Sequence, residues 1–264
     1  MTPDDASRES HIYGPDVAAL KGKMHRTAAV PQEPTFKAIP PPHPSRHTIA
    51  MLRCALISFF VQGIGFLHTL SRSIGFRTVI PIADRSHKTN FAELLAVINL
   101  YRSRGLSVCN HHADNEFECI CEIRPVAMNI ASANSHLGEV EQSIRTIKER
   151  LCACVHGLPF WRLPKLMITH IAANSARCLN QFPRVNGISL TMSPLTIITG
   201  AATPDHNAMH LELGTHVQVF GDHAPTNTPR GRFLGAIALC PTGNTQGDYY
   251  VLSMSTGARI SRHN

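Results

Sequence analysis

Two carboxylates, Asp114 and Glu141, have the types and element positions that could bring them to one divalent cation. Asp114 follows the short apolar run at 106–109 and the pair His111 and His112. The end of a buried strand is where a mixed α/β sheet presents functional side chains. Glu141 lies 27 positions later, in the first turns of a predicted helix with Asn134 or Ser135 as N-cap and Gly157 beyond its C-terminus. An acid at a strand end and an acid on a neighbouring helix can converge on Mg²⁺, which prefers hard oxygen ligands and takes few of them from protein. Two such ions about 3.5–4 Å apart would activate a water or hydroxyl and stabilise a leaving phosphate oxygen. The same residues have plainer uses. Asp after a strand is a common turn former, and Glu141 is spaced to pair with Arg145 at i+4. Arg145, Lys148 and Arg150 ride on this helix around its polar side, as a phosphate-facing surface or as a solvated charged face.

The elements that must position these residues are marked by periodicity. The helix carrying Glu141 has Leu137, Val140, Ile144, Ile147, Leu151 and Val155 at spacings of three and four, a stripe that buries one face. Upstream, three runs rich in aliphatic and aromatic residues (54–62, 65–70 and 77–83) read as antiparallel strands, the first two split by Gly63-Ile64-Gly65. Pro81 assigns the third to an edge or a bulge. Phe91, Leu94, Leu95, Val97, Ile98 and Tyr101 mark a helix over about 88–104, closed by Gly105. A third helix is expected over about 164–180, with Pro164 in its first turn and Leu166, Met167, His170, Ile171 and Asn174 along one face. Phe160, Trp161 and Met167 are assigned to the core. Past Gly231, FLGAIAL, YYVLSM and ARISRHN suggest three strands of a small barrel or sheet.

Composition narrows the class. The chain has 264 residues, 43% of them hydrophobic, enough for a packed core. Its 25 Lys and Arg against 18 Asp and Glu leave a net charge of +7, and residues 161–264 hold eight basic and four acidic side chains. That balance favours an acidic partner such as nucleic acid. Eight cysteines are too few for a disulfide scaffold, and the polar start MTPDDASRES does not read as an export signal, so reduced thiols are expected in a nuclear or cytoplasmic protein. The pairs Cys119/Cys121 and Cys152/Cys154, with His43 and His47, lack zinc-knuckle spacing. The apolar stretch 49–70 imitates a membrane span but is broken by Arg53, Gln62, Gly63, Gly65 and His68, so it reads as strands. Six prolines between Pro31 and Pro44 mark an extended linker. The expected organisation is an N-terminal arm (1–30), a Pro-rich linker (31–48), a core domain (49–200) and a C-terminal extension with a small β unit (201–264).

HADNEFE (112–118) and GEVEQSIRTIKERL (138–151) together resemble the integrase core of copia-type LTR retrotransposons, with its D-N-x-x-E-F and G-V-A-E-R-x-N-R-T blocks. FWRLPKLMITHIAANSARCLNQFP (160–183) is similar to the family's F-W helix ending in L-N-R-x-P. SPLTIITG (193–200) and HLELGTHVQVFG (210–221) are similar to its T-P-x-E-x-x-x-G and H-L-R-V-F-G blocks. FLGAIAL and QGDYYVLSMSTGARISRHN (246–264) look like its closing blocks. The blocks run in the family's order over about 55–264.

The resemblance implies an α/β (α+β) RNase H-like fold, a five-stranded mixed sheet with flanking helices whose first three strands are antiparallel, plus the small C-terminal β unit. It implies a D-D-E triad holding two Mg²⁺ (or Mn²⁺) for joining element DNA to target DNA, and a homo-oligomer. Asp114 matches the second carboxylate and Glu141 the third. The first falls at Ile57, within Ala55-Leu56-Ile57-Ser58, and no Asp or Glu occurs between Glu33 and Asp84. The glycines after the family's D-N are missing, and its N-R-T motif reads Ser143-Ile144-Arg145-Thr146, replacing an amide that often faces DNA. The sequence therefore reads as a fragment of such an element that keeps nucleic-acid affinity and loses most catalysis. A non-catalytic DNA-binding module or a structural remnant is the alternative.

Overall fold

A computed structural model describes residues 51–84, 86–114, 116–117, 127–130, 138–184, 187–201, 210–221, 233–244 and 246–262. The expected arm, the Pro-rich linker, His43, His47, Cys119, Cys121 and the N-cap at 134 or 135 lie outside them. The described residues fall into two compact units, one holding 51–201 and the other 210–262.

The first unit starts with a meander of β1 (Met51–Val61), β2 (Ile64–Ser71) and β3 (Arg77–Ile82). β1 and β2 pair antiparallel from Cys54 opposite Ser71 to Val61 opposite Ile64. The hairpin closes on Gln62 and Gly63, both at positive φ (48° and 78°), the two-residue geometry that matches strand twist. The turn is thus Gln62-Gly63 and not Gly63-Ile64-Gly65, because Ile64 and Gly65 already pair with β1. β3 lies at the sheet edge, where Pro81 costs no ladder bond.

Helix α1 (His87–Arg102) begins at Ser86, whose hydroxyl accepts from the Thr89 amide, and carries the chain over to β4 (Ser107–Ala113). β4 runs parallel to β1, and β5 (Ala127–Ile130) parallel to β4. The resulting order is β3-β2-β1-β4-β5. This is the expected five-stranded mixed sheet, with strands one to three antiparallel. The apolar stretch that imitates a membrane span forms β1 and β2, and no described helix is long and apolar enough to cross a bilayer.

Alternation along β1 separates two cores. Leu52, Cys54 and Leu56 point to the α1 face, where they pack with Val97, Ile98, Tyr101, Leu67 and Phe117. Each buried aliphatic side chain there contributes about 1.5–3 kcal/mol relative to exposure. The opposite face carries Phe59, Phe66 and His68 and is covered by α2 (Gly138–Gly157), while α3 (Lys165–Leu179) packs on β3 and on α2. The stripe Val140, Ile144, Ile147 and Leu151 is buried, as the spacing requires. On α3 the buried set is Met167, Ile168, His170, Ile171, Ala172, Ser175 and Ala176, rotated slightly from the expected face. A short helix, α4 (Pro194–Thr199), adds Ile197 and Ile198 to the α1-face core.

Trp161 is a correction. Met167 is buried as expected, but Trp161 is wholly exposed and Phe160 only half-buried. Both aromatics sit in the connection between α2 and α3, outside either helical stripe, so no periodic constraint draws them inward.

The second unit is a four-stranded antiparallel sheet in the order β6-β7-β8-β9, built from His216–Phe220, Phe233–Pro241, Tyr249–Ser253 and Arg259–Arg262. It has one strand more than the sequence pattern suggested. Val219, Ala236, Tyr249 and Val251 form its core. The Arg259 guanidinium lies 4.5 Å over the Tyr250 ring, and Arg262 Nε donates to the Phe220 carbonyl at 2.9 Å, linking the two edge strands.

Candidate functional site

Strand register determines what stands beside Asp114. Leu56 on β1 is paired with Ala113, the last residue of β4, so the next positions on the two parallel strands are Ile57 and Asp114. Ile57 pairs with His68 across β1 and β2, which puts it on the face covered by α2. Asp114 is exposed just past the strand end.

Helix α2 is anchored over this face at two points. Near its N-terminus Glu139 meets Arg72 Nε at 3.4 Å, and the Arg72 amide donates to the Arg53 carbonyl on β1. Further along, Lys148 Nζ lies 5.6 Å from the centre of the Phe59 ring, also on β1. Glu141 falls between these anchors, on the stretch of helix that passes along β1 from Arg53 towards Phe59. Its side chain is exposed. At about 100° per residue, Glu141, Arg145 and Lys148 share one flank of α2, while Arg150 falls about 180° from Glu141. All three basic residues are exposed, but they do not form a single stripe.

Among the described residues the donor set does not fit a pair of divalent ions. Among the described residues no group of three or more His, Cys, Asp or Glu side chains is placed to hold a metal. The β1 position beside Asp114 is an isoleucine, which offers no lone pair. Asp84 does not take its place. It lies past the end of the edge strand β3, two strands from β1, and its carboxylate accepts from the Ser86 amide at 3.0 Å and the Ser86 hydroxyl at 2.6 Å. Those bonds hold its pKa below the usual carboxylate value and stiffen the start of α1.

The histidines beside Asp114 face different ways. His111 pairs with Cys54 and is buried, and neither ring nitrogen has a hydrogen-bond partner among the described residues. Burial, and then the charge of His112, pull its pKa down to about 4. His112 is half-buried, and burial followed by the charges of Arg72 and Arg53 lowers its pKa as well. His111 is therefore uncharged near neutrality. The Cys54 thiol is pushed up to about 12 by burial, and Cys152 and Cys154 are exposed.

A buried polar network missed by the sequence reading ties α2 to the sheet. His68 is fully buried; its Nδ1–H donates to the Thr78 carbonyl at 2.8 Å, so Nε2 accepts from the Ser143 hydroxyl at 3.0 Å. Arg77 Nε donates to the same Ser143 oxygen at 3.0 Å. Ser143 is only 5% exposed and faces the core. Asn180 then completes the edge of β3: its Oδ1 accepts from the Arg77 amide at 2.9 Å and its Nδ2 donates to the Arg77 carbonyl at 2.7 Å. Only Asn180 had a sequence signal, the L-N block at the end of α3.

Solved structures similar to this chain include two integrase catalytic core domains. The catalytic core domain of BIV integrase aligns with 55% of this chain and 92% of its own length, at 15% identity and a TM-score of 0.41. The HTLV-2 integrase catalytic core domain, solved in complex with magnesium in a trimeric form, aligns with 57% of this chain and 96% of its own, at 16% identity and a TM-score of 0.41. No protein-family model matches the chain, and no curated protein does.

Proposed function

We propose that this chain is an integrase-like protein of copia-type ancestry that binds nucleic acid and has lost most or all of its strand-transfer activity. The observation that carries the reading is the register of β1 against β4, in which Ile57 occupies the place beside Asp114 where the family's first carboxylate would stand. An in-line displacement between phosphates needs negative ligands to hold two cations. Asp114 and Glu141 alone would hold one ion loosely. Loss of the bridging carboxylate removes several kcal/mol of transition-state stabilisation, about a thousandfold or more in rate.

Nucleic acid is proposed to lie along the exposed flank of α2 that carries Arg145 and Lys148, with Arg150 on the other side of that helix. The phosphate backbone would supply most of the affinity, without base specificity. The protein is further proposed to act as a homo-oligomer in the nucleus or cytoplasm.

The test is anisotropy of a labelled DNA duplex with purified protein, in parallel with a donor-and-target joining assay in Mg²⁺ and Mn²⁺. Affinity should fall steeply between about 50 and 200 mM salt and weaken further in Arg145→Gln/Lys148→Gln, with no joined product. Salt-independent binding would remove the nucleic-acid reading and leave a structural remnant. Joined product that disappears in Asp114→Asn would show that catalysis survives.

A further inference from the structure

The turn joining β2 to β3 gathers guanidinium groups from three parts of the first unit. Arg77, at the start of β3, is half-buried; its Nη1 donates to the Gly75 carbonyl at 3.3 Å and its Nε to Ser143 on α2. Arg184, beyond α3, lies against the same glycine. A Cβ built on Gly75 would be 2.7 Å from Arg184 Cδ, and Arg184 Nη1 donates to the Arg72 carbonyl at 3.2 Å. Arg150 is on α2 two turns past Ser143 and on nearly the same side of the helix as that residue, which bonds Arg77. Arg72 has Glu139 as its counter-charge. Arg77, Arg150 and Arg184 have no carboxylate within ion-pair distance among the described residues.

Such an arrangement is costly as it stands. A guanidinium drawn out of water is normally paired with an anion, because neutral acceptors such as a hydroxyl and a carbonyl recover only part of its hydration. Here two further cations approach it instead. Burial, then the charges of Arg184 and Arg150, hold the Arg77 guanidinium below the ordinary arginine pKa. The missing partner is an anion able to meet several planar forks at once. A phosphate group does this, since each guanidinium can donate two parallel bonds to adjacent oxygens.

We infer that Arg77, Arg150 and Arg184 form a phosphate-binding site at the β2–β3 turn, able to take a phosphodiester or a free phosphate or pyrophosphate. It is separate from the Arg145 and Lys148 flank of α2 and does not depend on DNA lying there.

The test uses the full chain with inorganic pyrophosphate as the probe, at ionic strength matched with sodium chloride. A ligand that binds only the folded state raises the unfolding temperature with its concentration. Pyrophosphate should raise it in the wild type and in Arg145→Gln/Lys148→Gln. In Arg150→Gln, which lies on an exposed helix face, the apparent affinity should drop about tenfold, and in Arg150→Gln/Arg184→Gln the shift should vanish. Arg184→Lys, which keeps the charge but not the fork, should fall between. A labelled oligonucleotide displaced by pyrophosphate from the wild type, and weakened by Arg150→Gln/Arg184→Gln, identifies a phosphodiester as the occupant. Pyrophosphate stabilisation without that displacement identifies a small free anion. Equal stabilisation of wild type and double variant by pyrophosphate overturns the site, as does stabilisation by polyglutamate and not by pyrophosphate. Loss of DNA binding in Arg145→Gln/Lys148→Gln with this shift intact would concern the α2 flank alone.

Discussion

Acidification should destabilise the first unit well above the pH at which its carboxylates titrate. His68 is fully buried, bonded through both ring nitrogens, and one hydroxyl away from Arg77. Burial is the largest influence on it, opposed by the Thr78 carbonyl and reinforced by Arg77, and it brings the pKa from 6.5 to about 4. His111 is likewise held at about 4. A histidine whose folded pKa is depressed binds fewer protons in the folded state than in the unfolded one. Its stabilisation is therefore complete above pH 6.5 and is lost as pH falls towards 4. At pH 5 the loss is about 2 kcal/mol for His68 and a comparable amount for His111, a large share of the stability of an ordinary domain. Urea unfolding followed by circular dichroism at pH 7 and pH 5 measures it. His68→Gln keeps a donor for the Thr78 carbonyl but cannot titrate, so it should show about half the wild-type pH dependence. Stability unchanged between pH 7 and pH 5, or a His68→Gln variant with the full wild-type dependence, refutes the reasoning.

Two further expectations concern the scaffold. Gly75→Ala should cost about 1–2 kcal/mol in the same unfolding assay, because φ is +79° there and Arg184 must move aside; a neutral result would mean that the turn relaxes freely. Asn180→Ala should cost about 2–4 kcal/mol, since it strips partners from both backbone groups of Arg77, whereas Asn180→Asp should keep the acceptor and lose only the donor bond.

What could be read in advance follows from how local each signal is. β1, β2, β3, α1, α2 and α3 announce themselves because apolar periodicity, glycine turns and Pro164 act over a few residues. β5 spans only Ala127–Ile130, and β6 only His216–Phe220, each too short for alternation to stand out. The site was partly legible. Asp114 and Glu141 were singled out by strand-end and helix positions and Ile57 by the absence of any acid from 34 to 83, and their sharing of one site is a proposal. The division of Arg145 and Lys148 from Arg150 follows from helical angles once the buried face is known. The His68–Ser143–Arg77 network joins residues 66 to 75 positions apart, and Arg77 meets Asn180 across 103. Pairings of that range leave no mark on local sequence.

Mn²⁺ binding to Ile57→Asp, measured by electron paramagnetic resonance, tests most directly whether Ile57 stands in for a carboxylate between Asp114 and Glu141. Ile57→Asp should bind Mn²⁺ at least about tenfold more tightly than the wild type, and the gain should disappear when Asp114→Asn or Glu141→Gln is added. Equal Mn²⁺ affinity in wild type and Ile57→Asp, or a gain that survives both added substitutions, would show that these three positions do not share a site.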